Sequence, residues 1–463
     1  MLDIADKAVK QAVQLGAEYA DARAEQIHST AIRLTNERFE QVVSGIDQGL
    51  GIRLLYKGAW GFSSTTSLET KEIRKTVENA FKTARAASRA VKEKAIVQSV
   101  KPVKKDIRVK ASQPVTRTGI DKKLRLLLHL SDVARKCSPK IIGANIGYDD
   151  SAGDKATVTS DGTQILTHLS RVFTFINAVA KEGGKITSCR ERVGRIGGCE
   201  LFDKVDADDI FELAAKRAVG LLKAKPAPSG RFTVVADPRL AGVLAHEAVG
   251  HGCEADAVIS GESILEGKLM KKVGSDIVSI LDDSTVEEGW GAEKYDDEGV
   301  PTRKRLLIEK GVLKGYIHNK ESAAKLGMEP NGGARAQNFS HRPIVRMSNT
   351  YIANGSYSFE EILEDIKHGV YLKASRGGEV DTAKGTFQFN AEEAYLIKNG
   401  ALNAPLLDVS LSGLTLETLH SIDAVGKDLE FGAGGCGKGE QTVPVGTGSP
   451  HIRIINALVG GRA

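Results

Sequence analysis

The chain has 463 residues, of which 41% are hydrophobic and 27% charged, so it is long enough for about three domains and its composition excludes disorder and low complexity. Its 64 basic residues exceed its 59 acidic residues by only five, a surplus too dilute to make direct contact with nucleic acid the expectation. There is no run of about 20 apolar residues and no secretion signal at the N-terminus, so we expect a cytoplasmic protein that does not enter a membrane.

The first predicted domain, residues 1–105, is an α/β unit. Apolar residues recur at helical spacing over residues 3–15 and again between Ile73 and Ala84, which predicts two amphipathic helices. The segment between these helices alternates apolar and polar residues, and residues 54–62 are typical of a hairpin. In residues 91–110 the apolar period fails and lysines accumulate, which indicates an exposed connection.

The second predicted domain, residues 106–225, is an α+β unit. Helices are expected near residues 120–133 and 210–221, with strands at 141–148, 155–159 and 171–179 between them. Prolines and small residues then accumulate over residues 225–230, which marks a domain boundary. Neither of the first two domains contains a recognisable catalytic motif.

The third predicted domain, residues 226–463, is rich in strands. Residues 231–235 are typical of a strand, and Asp237 followed by Pro238 predicts the start of a helix. Residues 308–313 and 397–402 share one apolar–polar–polar–Gly–x–Leu pattern, which predicts two antiparallel hairpins. The fold class is therefore predicted as α+β, with N-terminal α/β units followed by a strand-rich C-terminal domain that has antiparallel sheets and the helix that starts at Asp237, for which metal binding is argued below.

The helix after Asp237 contains the string H-E-x-x-x-H, formed by His246, Glu247 and His251. In the familiar zinc-protease motif the histidines are four residues apart, so that both face one ion, and the glutamate between them is the base. Five steps of an α-helix separate the two rings by about 140°, whereas five steps of a π-helix separate them by about 50°. We therefore predict a π-bulge or a broken turn between His246 and His251, made easier by Gly250 and Gly252.

Glu247 falls within about 20° of Leu240 on the apolar face of a regular helix, so its carboxylate is expected to face the interior, where it must be paired, protonated or used. A catalytic zinc site needs three protein ligands and one open position. The residues alone leave six candidates open for the third ligand: Cys253, Glu254, Asp256, His318, His341 and Cys436.

Cys436 differs from the other candidates because it lies in the glycine-rich run 432–441, whose backbone is expected to wrap closely around an ion, while Lys438 would favour the thiolate. The run satisfies G-x-G-x-x-G, but a charged segment precedes it and Pro444 follows it, which disfavours a dinucleotide site. Gly439 stands where a phosphate-binding loop needs Ser or Thr. Five cysteines without a C-x-x-C pair do not indicate a disulfide framework.

Beyond the histidine string and its distant cysteine, five segments are distinctive: H-E-A-V-G-H-G-C-E-A-D at 246–256, Y-D-D-E-G at 295–299, N-G-G-A-R at 331–335, R-M-S-N at 346–349 and C-G-K at 436–438. With these segments the chain resembles the TldD/PmbA metallopeptidase family over essentially its whole length. It is most similar to the TldD type, which keeps its metal ligands.

The resemblance implies a cytoplasmic zinc peptidase, with Zn2+ held by His246, His251 and Cys436 and with Glu247 as general base. It also implies cleavage of small or unfolded peptides and a heterodimer with a PmbA/TldE-like paralogue; a homodimer is the alternative. Four further polar residues are candidates for holding the substrate or an oxyanion: Arg335, His341, Arg346 and Asn349.

Two other functions stay open from the sequence. In the first, the chain is a non-catalytic scaffold subunit of a heterodimeric peptidase, stabilised by structural zinc. Glu247 discriminates against this reading, because structural zinc sites are closed by four ligands and need no neighbouring base. In the second, the chain is a zinc hydrolase that acts on a non-peptide amide.

Overall fold

The computed structural model describes residues 1–461. The N-terminal part consists of one large sheet with helices packed on it. Its elements are α1 (Leu2–Gln14), β1 (Tyr19–Thr35), β2 (Arg38–Tyr56), β3 (Ala59–Thr65), α2 (Thr70–Ala87), β4 (Lys104–Arg108), α3 (Ile120–Lys136), β5 (Ile141–Thr159), β6 (Gln164–Glu182), β7 (Lys185–Ile196), α4 (Leu201–Lys204) and α5 (Ala207–Leu221).

The seven-stranded sheet has the order β3-β2-β1-β5-β6-β4, and β7 also pairs with β6. All pairs are antiparallel except β4 with β6. β4 lies inside residues 91–110. Four of its five residues are exposed, as expected, but residues 104–108 form a strand that pairs with β6 and are not an irregular connection. Because β1 pairs with β5, the sheet is continuous across residue 105; the divisions at 105 and 225 stay predictions.

The C-terminal part contains the remaining strands and shorter helices. They are β8 (Lys225–Pro226), β9 (Gly230–Ala236), α6 (Pro238–Leu244), α7 (Ala255–Ile259), β10 (Ile280–Asp283), β11 (Lys304–Glu309), β12 (Val312–Leu313), α8 (Lys320–Leu326), β13 (Ala334–Arg335), β14 (Ile344–Val345), β15 (Asn349–Ile352), α9 (Phe359–Glu364), β16 (His368–Asp381), β17 (Thr386–Lys398), β18 (Ala401–Leu407), β19 (Ser410–Leu414), α10 (Thr415–His420), β20 (Ile422–Val425), β21 (Glu430–Lys438), β22 (Gln441–Ser449) and β23 (Ile452–Gly460).

Two sheets dominate this part. The eight-stranded sheet has the order β16-β9-β23-β19-β17-β18-β8, with β20 beside β23, and a β16–β17 pairing closes five of its strands into a ring. The six-stranded sheet has the order β12-β11-β10-β15-β22-β21. The apolar faces of both sheets, together with α6, form one buried core. The predicted α+β class with antiparallel sheets is confirmed.

Both predicted C-terminal hairpins are present. Ile308 pairs with Leu313 and Ile397 pairs with Leu402, each across a two-residue turn. In the second turn Asn399 and Gly400 have φ values of 47° and 75°, the left-handed backbone that two-residue hairpins favour. The apolar–polar–polar–Gly pattern therefore located the turns correctly. No helix within residues 1–461 combines the length and the apolar character that a membrane crossing requires.

The first sheet is joined to the C-terminal part by buried ion pairs. The Arg53 guanidinium lies 2.6 Å from Asp21 Oδ2 on β1 and 2.7 Å from Glu298 Oε1 in the loop after β10. Lys155 on β5 binds Asp297 in the same loop at 2.9 Å. A buried charge without its partner is strongly destabilising, so these pairs fix the position of the C-terminal loops against the sheet.

Candidate metal centre

The start of the metal-site helix is fixed by a side-chain cap. Asp237 Oδ1 accepts a hydrogen bond from Leu240 N at 2.8 Å, and Pro238 occupies the first helical position, as the sequence predicts. The same oxygen accepts a bond from Ala374 N on β16 at 2.9 Å. Because one carboxylate binds both elements, the N-terminal end of α6 is fixed to the ring of strands, and this sets the position of the histidine string that follows α6.

The predicted π geometry is confirmed: residues Ala245–Gly250 form a π-helical turn that follows α6 directly. The His246 and His251 rings lie 5.2 Å apart between centroids, with an angle of 81° between their planes. Gly250 permits this packing, since a Cβ atom there would stand 2.0 Å from Met347 Sδ. The wider turn therefore brings the two imidazoles to the same side despite their five-residue separation.

Cys436 approaches the two histidines from β21. Its Sγ lies 3.3 Å from His251 Nε2, and one potential ligand atom from each of His246, His251 and Cys436 lies within 4.8 Å of the others. The glycine run is a strand rather than the expected wrapping loop, because Gly439 and Glu440 form a left-handed turn that pairs β21 with β22. The position of the Cys436 thiol at the site is therefore set by the regular pairing of β21 with β22.

The histidines favour the ionised form of the thiol. Burial alone would raise the pKa of Cys436, but hydrogen bonds and charges from His246 and His251 outweigh it and lower that pKa to about 5. Burial would also lower the pKa of His251, yet the Glu254 carboxylate and the Cys436 thiolate raise it. The site therefore presents a thiolate, which is the form that binds metal ions.

Glu254, one of the open candidates for the third ligand, instead binds the Nδ1 side of the His251 ring, opposite the nitrogen that faces Cys436. Its Oε2 lies 2.9 Å from His251 Nδ1 and 3.0 Å from Lys438 Nζ, and the residue is 1% exposed. Lys438 also donates to both carboxylate oxygens of Asp256 at 2.7 and 2.8 Å. Lys438 thus serves these two carboxylates rather than the thiolate, which corrects the expectation from sequence.

Glu247 lies at the margin of the site. Its Oε2 is 3.7 Å from His251 Nε2, and 35% of its side chain is exposed. The expectation that this carboxylate faces the interior is wrong, because Arg239, Val243 and Glu247, spaced four residues apart, form the one partly exposed side of a helix that is otherwise buried from Pro238 to Gly250. The carboxylate is instead accessible to water beside the two histidines.

The donor set fits zinc. Bond lengths of about 2.0 Å to nitrogen and 2.3 Å to sulfur place tetrahedral ligand atoms about 3.5 Å apart, close to the 3.3 Å between His251 Nε2 and Cys436 Sγ. His246 is 2% exposed, and its Nδ1 has no hydrogen-bond partner within residues 1–461. A buried ring nitrogen without a partner is costly unless a ligand satisfies it.

The other candidate ligands lie outside this group. Cys253 is fully buried in the core, where burial raises the pKa of its thiol. His318 is buried beside Ser322, and burial together with the charge of Arg303 lowers its pKa to about 4. Within residues 1–461 the three-donor group consists of His246, His251 and Cys436 alone.

The four candidate substrate residues are placed differently from one another. Arg346 is fully buried and donates to the carbonyls of Cys436 and, at 3.2 Å, Gln441. Arg335 donates to Met347 O at 2.6 Å, and buried Asn349 donates to Asp283 O at 2.7 Å. Their side chains thus hold the backbone around β21 and β15, and their contribution to substrate binding stays a prediction.

His341, the fourth of these residues, lies in the loop between β13 and β14. Its Nδ1 is 2.7 Å from Asn338 Oδ1, and its carbonyl accepts a hydrogen bond from Arg23 on β1. These contacts attach the loop to the first sheet, and His341 does not belong to the three-donor group. A role for its imidazole in substrate binding also stays a prediction.

Comparison with known proteins assigns all three parts of the chain. Profiles of the PmbA/TldA metallopeptidase domain 1, central domain and C-terminal domain match residues 20–84, 114–222 and 229–461. A metalloprotease from Methanothermobacter thermautotrophicus is 42% identical over 445 residues, which cover 96% of each chain. A Saccharolobus solfataricus protein named zinc metalloprotease TldD homolog is 32% identical over 456 residues, covering 98% of this chain and 99% of that protein.

The fold has a counterpart among solved structures. The crystal structure of TldE from Thermococcus kodakarensis matches with a TM-score of 0.82, covering 99% of this chain and 100% of that one, at 19% sequence identity. This likeness establishes the fold, whereas the profile matches and the relatives above 30% identity establish the family. The chain belongs to the PmbA/TldD metallopeptidase family.

Proposed function

We propose that the chain is a zinc-dependent peptidase in which His246, His251 and Cys436 hold the ion and Glu247 is the general base. The observation that carries this proposal is the convergence of three donor side chains within 4.8 Å beside a partly exposed carboxylate. Three protein ligands leave a fourth position open, which is typical of catalytic zinc and not of structural zinc. The names of the relatives, metalloprotease and zinc metalloprotease TldD homolog, support the same reaction.

The chemistry divides between the ion and the side chains around it. Zinc supplies Lewis acidity, which polarises a substrate carbonyl and makes a water molecule more acidic. Glu247 would take a proton from the attacking water as its oxygen bonds to the carbonyl carbon, and would pass the proton to the amine that leaves when the C–N bond breaks; its partly exposed carboxylate beside His251 is suitably placed for this. Glu254 accepts a hydrogen bond from His251 Nδ1 and so keeps Nε2 directed towards Cys436.

The proposed substrates are small or unfolded peptides in an extended conformation. β21, which carries Cys436, is the terminal strand of the six-stranded sheet. A terminal strand offers backbone groups with which an extended peptide can pair, largely independently of its side chains. Such binding would present successive peptide bonds to the site next to Cys436, whereas a folded protein would have to unfold first.

A PmbA/TldE-like paralogue is the proposed partner, and a homodimer is the alternative. The whole-chain similarity to the Thermococcus kodakarensis TldE supports a partnership between two related subunits. The cytoplasm is the proposed compartment. All five cysteines are free thiols, which suits a reducing environment.

The proposal is tested by substituting Glu247→Gln in the zinc-loaded chain, assayed alone and with its paralogue against an unstructured peptide library. We expect cleavage to be lost while bound zinc stays near one equivalent, because Glu247 is the base and not a ligand. Cys436→Ser is the matched variant that should lose zinc and cleavage together. Cleavage that persists in Glu247→Gln would eliminate the base, and a zinc-loaded wild type without cleavage would favour the scaffold alternative.

A further inference from the structure

Three arginines converge on a pocket beside the metal centre. Arg190 and Arg192 on β7 and Arg239 on α6 line a cavity of about 100 Å³ between these elements and β21. Gly432 on β21 and Val243 on α6 also line this cavity. The cavity is large enough for a carboxylate or another small anion, and too small for a bulky group.

The positive charge of this pocket is only partly neutralised. Arg239 lies 2.5 Å from Glu191, a carboxylate that also binds the buried Arg217. Within residues 1–461 neither the Arg190 nor the Arg192 guanidinium forms a salt bridge, although Glu392 lines the same pocket. Partial desolvation in the pocket, followed by the like charges of Arg239 and Arg190, lowers the pKa of Arg192.

A line of small residues connects the pocket with the metal centre along β21. Because strand side chains alternate, Gly432, Gly434 and Cys436 share one face. Arg192 Nη1 lies 3.9 Å from the position that a Cβ of Gly434 would occupy, so the guanidinium and the thiol stand over the same face. Four strand residues span about 13 Å, which is the distance between the two ends of this path.

The helix opposite β21 follows the same direction. Arg239, Val243 and Glu247 are spaced four residues apart, so they line one side of α6 and its π turn. Arg239 and Val243 line the pocket, and Glu247 lies beside His251. At the α-helical rise the eight steps from Arg239 to Glu247 span at most about 12 Å, which is comparable with the length of about 13 Å estimated along β21.

The two glycines are not required by packing. A Cβ at Gly432 would meet no atom closer than 3.6 Å, and a Cβ at Gly434 none closer than 3.9 Å, which is ordinary van der Waals contact. Neither glycine has a positive φ. Larger residues would fit the fold here, so the absence of side chains leaves the face between Arg192 and Cys436 open to a ligand.

We propose that Arg190, Arg192 and Arg239 form a subsite for a carboxylate of a peptide bound along β21 towards Cys436. Guanidinium groups suit this ligand because they form paired, charge-assisted hydrogen bonds with carboxylates. An extended peptide rises about 3.3 Å per residue, so a carboxylate in the pocket lies three or four residues from the bond at the metal centre. This inference rests on the proposed peptidase function and adds a substrate preference to it.

The test measures binding separately from cleavage. The probes are fluorescein-labelled libraries of uncharged hexapeptides, with either a free C-terminal carboxylate or a C-terminal amide, and an amidated library with one internal Glu. Their affinities for the zinc-loaded Glu247→Gln chain are compared by fluorescence anisotropy. Arg192→Gln is the test variant, and Arg195→Gln is its control, with the same charge change on the opposite face of β7.

We expect a carboxylate to strengthen binding about tenfold to a hundredfold, the range for a charge-assisted hydrogen bond, and Arg192→Gln to abolish that gain. Arg195→Gln should keep it. If the internal Glu gives the gain, the subsite takes a side-chain carboxylate; if only the free terminus does, it takes the α-carboxylate. Equal binding of all three libraries, or a gain that survives Arg192→Gln, would overturn the subsite.

Cleavage by the wild-type chain, analysed by mass spectrometry, separates the two proposals. Products cut three or four residues from the carboxylate support both. Cleavage without any preference for a carboxylate would overturn the subsite and leave the peptidase intact. Binding that depends on Arg192 without cleavage of any peptide would overturn the peptidase and leave the subsite.

Discussion

The support of His251 by Glu254 leads to a quantitative prediction for Glu254→Gln. The glutamine has nearly the same shape, but its amide lacks the charge that Oε2 shares between His251 Nδ1 at 2.9 Å and Lys438 Nζ at 3.0 Å. Lys438 keeps both oxygens of Asp256, so the loss falls on His251. A hydrogen bond to a charged group contributes roughly 1.5–3 kcal/mol, which corresponds to zinc bound about tenfold to a hundredfold more weakly.

The assay is a competition titration of zinc against a chromophoric chelator at constant pH. Asp256→Asn is the matched control, because it removes the other carboxylate that binds Lys438 without touching His251. We expect Asp256→Asn to keep zinc affinity within a few fold of the wild type. Equal losses in the two variants, or an unchanged affinity in Glu254→Gln, would refute the view that Glu254 positions His251.

Two further outcomes are expected. Gly250→Ala would bring a Cβ to within 2.0 Å of Met347 Sδ, so it should lower stability by about 1–3 kcal/mol in thermal unfolding. Gly252→Ala should lower it by less, because its Cβ would lie 3.3 Å from the Leu265 side chain, which needs to shift only slightly. Burial lowers the pKa of His318 from 6.5 to about 4, so the free energy of unfolding should fall by up to about 3 kcal/mol as the pH drops from about 6.5 to 4. In unfolding titrations, His318→Gln should remove this dependence on pH. If the variant keeps the same dependence, His318 is not its cause.

The histidine string illustrates what local geometry makes predictable. Two imidazoles five residues apart can share an ion only if the helix turns by less per residue, so the spacing alone indicates the π turn found at Ala245–Gly250. The same local reasoning found both C-terminal hairpins. It placed Glu247 wrongly because it took one apolar face as buried, whereas the helix is buried on all sides except the one that carries Arg239, Val243 and Glu247.

The roles of residues whose partners are distant in the sequence were harder to predict. The glycine run suggested a loop, but its pairing with β22 makes it a strand. Sequence does not report that Arg346 is fully buried against the carbonyl of Cys436, 90 residues away. Arg192 and Arg239 come from strand and helix segments without any shared motif, and the fold alone brings them to one pocket.

The buried ion pairs between the first sheet and the C-terminal loops limit how this chain can be divided. A fragment starting near residue 226 would keep every proposed metal ligand, yet it would leave Glu298 and Asp297 without Arg53 and Lys155. Both carboxylates precede the loops that lead to the R-M-S-N segment at 346–349, so disorder there would spread towards Met347 and the π turn. The metal-holding part is therefore not an autonomous module, and chimaeras between paralogues should retain folding only when these arginine, lysine and carboxylate partners are exchanged together.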